Sequence, residues 1–340
     1  MSDTIVRGVD ALMEAVLRSG NPPAPLYDMM AYHLGWADAE GVALPARQRT
    51  RFGGKKMRAV LCALACEAAG GKSRTAIPAA AAVELIQNFS LVHDDIEDGD
   101  RERRHRPTVW VQWGLAQAIN AGSAMQALVN AAVLRTNAPA DTVLDLLSAL
   151  TCAMVEMTEG QHLDIAYQGR SDVTVAEYED MASRKTGALM EAAAYAGARL
   201  ATDNADALAQ WRLFGRAFGQ AFQAQDDLLG VVGLPALTGK PVGNDIRARK
   251  KALPLLHALS HSGPDDQALI QSALAENPVS DAAVARVTAI MERSGALDAT
   301  RRTVDRATQA ALAAFERAAP RGPAAAKIRD MALKSVGRQG

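Results

Sequence analysis

The sequence predicts an all-α protein, a single-domain helical bundle of about ten to fifteen helices. Three observations carry that prediction. Hydrophobic residues make up 49% of the chain but aromatics only 4%, so alanine and leucine fill the interior, and these favour helices over sheets. Apolar residues recur with helical spacing from end to end, with no hairpin signal between the runs. Pro/Gly-rich breaks at Gly20–Pro25, Gly70–Gly71, Gly169–Ser171, Gly230–Gly243, Gly263–Pro264 and Pro320–Pro323 separate long Ala/Leu/Val runs, as helix boundaries do. No fixed-period repeat or long linker divides the chain. The reading is one domain over 1–340, with N-terminal helices over 1–50, a motif-bearing core over 51–255 and C-terminal helices over 256–340.

Charge and cysteine content exclude several classes. Lys plus Arg is 37 and Asp plus Glu 38, for a net charge of −1, so a generally basic nucleic-acid binder is excluded. Three cysteines are too few for a disulfide framework and point to a reducing, cytoplasmic setting. The N-terminus MSDTIVRGVDALMEAV has charges throughout and no signal-peptide core. No run of about 18 uncharged apolar residues is found, so no transmembrane segment is expected.

In chain order, GGKKMR places Lys55 and Arg58 at a glycine-led helix start, where the backbone can approach an anion. VELIQNFSLVHDDIED reads as one helix. Asp94 and Asp98, spaced i,i+4, share a face that continues back through Leu91 and Gln87, and Asp95 points away as a supporting residue. Like charges at that spacing destabilise a helix, and a hard divalent cation would offset the cost. DRERRHRPT then supplies Arg103 and Arg104, with Pro107 ending or redirecting the helix. SRKTG supplies Lys185. FGQAFQAQDDLLG repeats the acidic pattern, with Gly219, Gln223, Asp226 and Gly230 on one stripe. Lys240 in TGKPVGND and Lys250 follow. Two helices that present carboxylates at the end of apolar stripes could face each other across a cavity. Oxygen donors without a His/Cys cluster suggest Mg²⁺ rather than Zn²⁺. A single lysine is most simply a surface cation, but together these make a cage for diphosphates.

GGKxxR, Q-x6-DDxxD, RR-x-x-PT, EGQxxD, KT, QxxDD and GKxxGxD, in this order, resemble the trans-isoprenyl diphosphate synthases, the polyprenyl synthetase family. The resemblance implies an isoprenoid synthase bundle around a deep central apolar cavity, usually a homodimer. It implies a prenyltransferase that condenses isopentenyl diphosphate with an allylic prenyl diphosphate, using three Mg²⁺ ions. Asp94 and Asp98 would bind two of these, and Asp226 the third. Arg103, Lys185 and Lys240 would hold the allylic diphosphate. Lys55, Arg58, Gln87 and Arg104 would hold the diphosphate of isopentenyl diphosphate. Gln161, Asp164, Thr186, Gln223, Asp227 and Lys250 match supporting positions, with Lys185, Thr186 and Gln223 steadying the allylic cation.

The sequence departs from the family pattern in places. Gly230 stands where many members carry a third Asp, Leu234 where Asp is frequent, His105 where Gly is usual, and Ser123 where Asp is common. These departures leave two rivals open: a terpene synthase on the same scaffold and a non-catalytic subunit. The second cation set argues against a cyclase, and intact Asp94, Asp98 and Asp226 against a non-catalytic role. Phe89 and Ser90 lie one helical turn or slightly more before Asp94, roughly 6–8 Å away along the helix. A bulky Phe89 resembles short-chain synthases, with a C20 product first and C15 second. His93 is read as a packed or surface histidine, and Cys62 and Cys66 as buried thiols.

Overall fold

The breaks in the sequence become the ends of helices. The computed structural model describes residues 2–19, 24–232 and 243–337. Its α-helices are α1 Ser2–Leu17, α2 Ala24–His33, α3 Ala46–Phe52, α4 Met57–Ala68, α5 Ile77–Glu97, α6 Val109–Trp113, α7 Leu115–Val133, α8 Ala140–Gln168, α9 Val175–Ala182 and α10 Ala188–Arg199. They continue as α11 Ala205–Val232, α12 Asn244–Arg247, α13 Leu253–His261, α14 Pro264–Ala275, α15 Asp281–Arg293, α16 Ala296–Arg317 and α17 Gly322–Val336. Short pieces such as α6 and α12 take the count past the ten to fifteen expected, because they hold too few residues to show a helical period. Among the described residues the only paired strands are Glu102–Arg103 and Arg106–Pro107, a two-residue ladder. The boundary chemistry is ordinary: Thr174 and Glu177 close a capping box at the start of α9.

The chain divides into two compact units. The first comprises Met1–Thr151, Ala192–Leu208 and Pro320–Ala325. Its spine is α5, whose residues from Ala79 to Ile86 are all buried, as expected of a helix apolar on every side. α5 packs chiefly on α7, and also on α4 and α1. The seam with α7 is tight: a Cβ on Gly122 would lie 2.3 Å from His93 Nε2. Glycine there lets the His93 ring seat between the helices, where Phe89 meets it edge-on at 6.0 Å. Cys62 and Cys66 are buried free thiols on α4, and burial pushes both thiol pKa values up.

One helix bears on the expectation that nothing spans a membrane. Ser73–Glu97 is long and apolar enough, by length and composition, to cross a membrane. The count of uncharged residues passed over it because Glu84 interrupts the run. Within the fold 67% of its apolar window is buried, and a core helix has the same property.

The second unit comprises Cys152–Glu191, Ala209–Ala319 and Ala326–Gly340. Several of the chain's few aromatics gather in it. Trp211 and Phe214 of α11 meet Phe315 of α16 at ring-centroid distances of 5.4 and 5.1 Å. Such pairs add about 0.5–1.5 kcal/mol each beyond burial. A second cluster joins Leu228 and Val231 of α11 to Leu255, Val287 and Ile290. Between α9 and α10, Ser183–Gly187 forms one π-helical turn, a device that recurs at functional sites.

Candidate active site

In the first unit the acidic motif sits where α5 ends. Asp98 is the C-cap residue at φ −84°, ψ −11°, and its N–H donates to the Asp94 carbonyl at 2.8 Å. The two carboxylates therefore keep the one-turn spacing although Asp98 lies just past the helix. Both are half-buried, whereas Asp95 between them is 1% exposed. Arg103 places Nε and Nη2 each 2.7 Å from Asp95 Oδ1, so the buried charge is compensated.

Arg103 belongs to a hairpin in which it pairs with Arg106, and the two turn residues are Arg104 and His105. Their φ values are +54° and +62°. A two-residue turn with both centres at positive φ matches strand twist and normally uses Asn-Gly. The strain, of order 1 kcal/mol or more per residue, is stored under a proposed substrate residue. Arg106, which the sequence reading did not single out, anchors the hairpin. Its guanidinium lies 3.7 Å from the centroid of the Tyr32 ring and donates to Ala37 O at 2.8 Å. An arginine before Pro107 in an otherwise ordinary charge run carried no distinguishing signal.

Arg104 reaches back to the glycine-led segment some fifty residues earlier. Its Nη1 donates to Phe52 O at 2.7 Å. A Cβ on Gly54, at φ +72°, would lie 2.8 Å from Nη2, so the missing side chain makes room for the guanidinium. Burial lowers the Arg104 pKa, while Glu84 supports its charge. Glu84 is 4% exposed and accepts from Asn88 Nδ2 at 3.0 Å. Burial raises its pKa, and Lys56, Arg104 and Arg58 pull it back. Of the two lysines in GGKKMR, Lys55 is exposed and Lys56 is buried, donating to Gly53 O at 2.9 Å and lying 3.3 Å from Asp10 Oδ1. Lys56 is a structural tie that the motif alone did not separate from Lys55. Arg58 and Gln87 are half-buried.

In the second unit the π turn carries Lys185 and Thr186. Lys185 Nζ donates to Asp164 Oδ2. Thr186 Oγ1 donates to Gln223 Oε1 at 2.6 Å, and Gln223 Nε2 donates to Asp227 Oδ1 at 2.9 Å. The Leu253 N–H closes the chain on Asp227 Oδ2 at 2.9 Å. Asp227 is 7% exposed. Burial, with the nearby Asp245 charge, pushes its carboxyl up to about 7 against the hydrogen bonds it accepts. Asp226 is exposed. The Lys250 N–H donates to the Asp245 carbonyl at 2.9 Å. Lys240 lies outside the described residues, as does Leu234.

Residues 40–291 match the sequence profile of the polyprenyl synthetase family. The chain belongs to the polyprenyl synthetase family. Over 235 residues it is 45% identical to a (2E,6E)-farnesyl diphosphate synthase of Mycobacterium tuberculosis, covering 69% of this chain and 64% of that protein. The match thus spans less than two thirds of that relative's length. A geranylgeranyl diphosphate synthase of the same organism is 38% identical over 294 residues, covering 86% of this chain and 81% of that one. Among solved structures, a polyprenyl synthetase from Streptomyces coelicolor superposes with a TM-score of 0.88 at 33% identity, covering 98% of each chain. The all-α fold is therefore that of the polyprenyl synthetases.

The departure at Gly230 has a local explanation. A Cβ there would lie 2.2 Å from Asp245 Oδ2. The Asp245 carboxylate fills the space, and an aspartate at 230 would meet both its atoms and its charge.

Proposed function

We propose that the chain is a Mg²⁺-dependent prenyltransferase that condenses isopentenyl diphosphate with an allylic diphosphate to a short-chain, C20 or C15, all-trans prenyl diphosphate. The observation that carries this reading is the meeting of Arg104 with Phe52 O and Gly54. It joins two basic segments, far apart in sequence, beside the helix that ends in Asp94 and Asp98. A cyclase, which ionises one allylic diphosphate alone, has no use for a second cation set. The similarity to farnesyl and geranylgeranyl diphosphate synthases supports the same chemistry. Because the family match runs through both units, we take 1–340 as one catalytic domain.

Among the described residues no three His, Cys, Asp or Glu side chains form a ready-made metal cage. Mg²⁺ needs none, since it takes one or two carboxylates and fills its shell with phosphate oxygens and water. Asp94 and Asp98, and separately Asp226, fit that donor set. Bound Mg²⁺ would neutralise the leaving diphosphate as a Lewis acid. By the family motifs they match, Arg103, Lys185 and Lys240 would each add positive charge to an allylic diphosphate as its C–O bond breaks. Lys55, Arg58, Gln87 and Arg104 orient isopentenyl diphosphate so that its double bond attacks the allylic carbon. The dipoles of Lys185, Thr186 and Gln223 steady the cation, and the departing diphosphate accepts the final proton.

A homodimer is part of the proposal. From Val109 to Leu134 the chain has no charged residue, yet Leu115, Ile119 and Leu134 are 55%, 43% and 66% exposed. An uncharged exposed face of that kind suits a second copy of the chain. The free thiols of Cys62, Cys66 and Cys152 support a cytoplasmic setting.

The test is product analysis by mass. Purified protein with Mg²⁺ and an allylic diphosphate is expected to give elongated diphosphates only when isopentenyl diphosphate is added. Hydrocarbons formed without it would replace this reading with cyclisation. Phe89→Ala is expected to lengthen the product, and an unchanged length would put the chain-length wall elsewhere.

A further inference from the structure

Two helix stripes converge on the π turn Ser183–Gly187. On α11, Arg216 Nη1 donates to Ser183 O at 3.1 Å, and Gln223 accepts from the Thr186 hydroxyl. Between them in the stripe, a Cβ on Gly219 would lie 2.6 Å from Gly187 Cα and 3.0 Å from Thr186 O. On α8, Glu156 accepts from Arg216 Nη1 at 2.7 Å, and Asp164 accepts from Lys185 Nζ. Between those two, a Cβ on Gly160 would lie 2.2 Å from Lys185 N and 2.6 Å from Lys185 Cα. Each stripe therefore has polar side chains at both ends and a glycine where the turn presses closest. Glycine in a helix interior costs about 1 kcal/mol relative to alanine, and here the backbone contact accounts for it.

We infer that Gly160 and Gly219 are positioning residues, a two-sided clamp that sets where Lys185 and the Thr186 carbonyl stand. The chemical consequence rests on the proposed prenyltransfer. A methyl at 219 presses on the Thr186 carbonyl and Gly187, and so displaces the turn that carries Lys185, the residue proposed to hold the allylic diphosphate. It leaves the isopentenyl diphosphate residues untouched. A displacement near 1 Å can cost about 100-fold in rate.

Gly215 provides a matched control. It lies one turn earlier on α11, and its Cβ would meet Glu191 Cα and Met190 O at 2.5 Å, so alanine there strains the packing with no direct contact on the turn, reaching it only through the Glu191–Arg216 pair. Gly219→Ala, Gly160→Ala and Gly215→Ala are compared with the full-length parent by two readouts. The first is amide hydrogen exchange of the peptide over 183–187, which needs no activity. Gly219→Ala is expected to speed exchange there about tenfold beyond Gly215→Ala. The second is steady-state kinetics. Gly219→Ala is expected to lower kcat about 100-fold and raise KM for the allylic substrate, with KM for isopentenyl diphosphate unchanged. If Gly160→Ala does not fold, Gly219→Ala decides alone. Equal exchange in Gly219→Ala and Gly215→Ala would overturn the clamp. An inactive parent with the exchange difference present would overturn the prenyltransfer reading and leave the clamp standing.

Discussion

The two acidic motifs use the same dipeptide and solve its burial differently. In each, the first aspartate is the more accessible and the second is buried: Asp95 is 1% exposed and Asp227 is 7% exposed. Asp95 is compensated by a full charge, the Arg103 guanidinium. Asp227 is held by neutral donors, the Gln223 amide and the Leu253 N–H, with the Asp245 charge nearby. A buried carboxylate held by amides near a like charge has its pKa raised, as at Asp227. The outward aspartates are the proposed metal ligands, and the inward ones are held from behind, one through an ion pair and the other through a chain of hydrogen bonds to Thr186.

The largest expected effect would break the parallel between the outward residues. Asp94→Ala and Asp226→Ala should each lower turnover by about 100-fold or more, measured as release of inorganic pyrophosphate. Near-normal turnover in either would remove that motif from the metal site. Next, Arg103→Ala removes the guanidinium that faces the buried Asp95 carboxylate. A loss of about 3 kcal/mol in urea unfolding is expected, and a loss below 1 kcal/mol would mean that Asp95 finds another partner.

Restoring the commoner residue at 230 should harm the protein. Gly230→Asp replaces a helix-disfavouring residue yet meets Asp245 Oδ2, so a loss of about 1–3 kcal/mol is expected, and a gain would contradict the packing. The pH response sharpens the contrast further. The Asp227 carboxyl stands at about 7 in the folded protein against an ordinary 3.8. Between those values the unfolded chain binds fewer protons, so stability falls as pH rises from about 4 to about 7. With metal removed by EDTA, Asp227→Asn is expected to flatten that fall, and an unchanged profile would assign it to another group. The smallest effect is at the hairpin. His105→Gly relieves φ +62° and should raise stability by about 1 kcal/mol.

The helical class and both acidic motifs are legible because they rest on local spacing. The expected helix over 83–98 is the second part of α5, with Asp98 as its cap. Asp95 faces inward, as its angular offset from Asp94 and Asp98 dictates. Less of the supporting structure is legible, because it depends on contacts between distant segments. Nothing local distinguishes buried Lys56 from exposed Lys55, and the π turn has no periodic signature. Arg104 and His105 adopt positive φ against their own preference because the hairpin holds them there. Interior glycines at 160 and 219 do carry a signal, since a costly residue in a long helix usually marks close packing. Its meaning appears only once the turn they press on is known.

In the proposed reaction two diphosphates fall to two sets of cations, and a crossed kinetic comparison tests that division most directly. KM for each substrate would be measured for Arg58→Ala and Lys185→Ala. Arg58→Ala should raise KM for isopentenyl diphosphate with little change for the allylic substrate, and Lys185→Ala should do the reverse. If both variants raise the same KM, or the pattern is inverted, the assignment of the two cation sets is wrong.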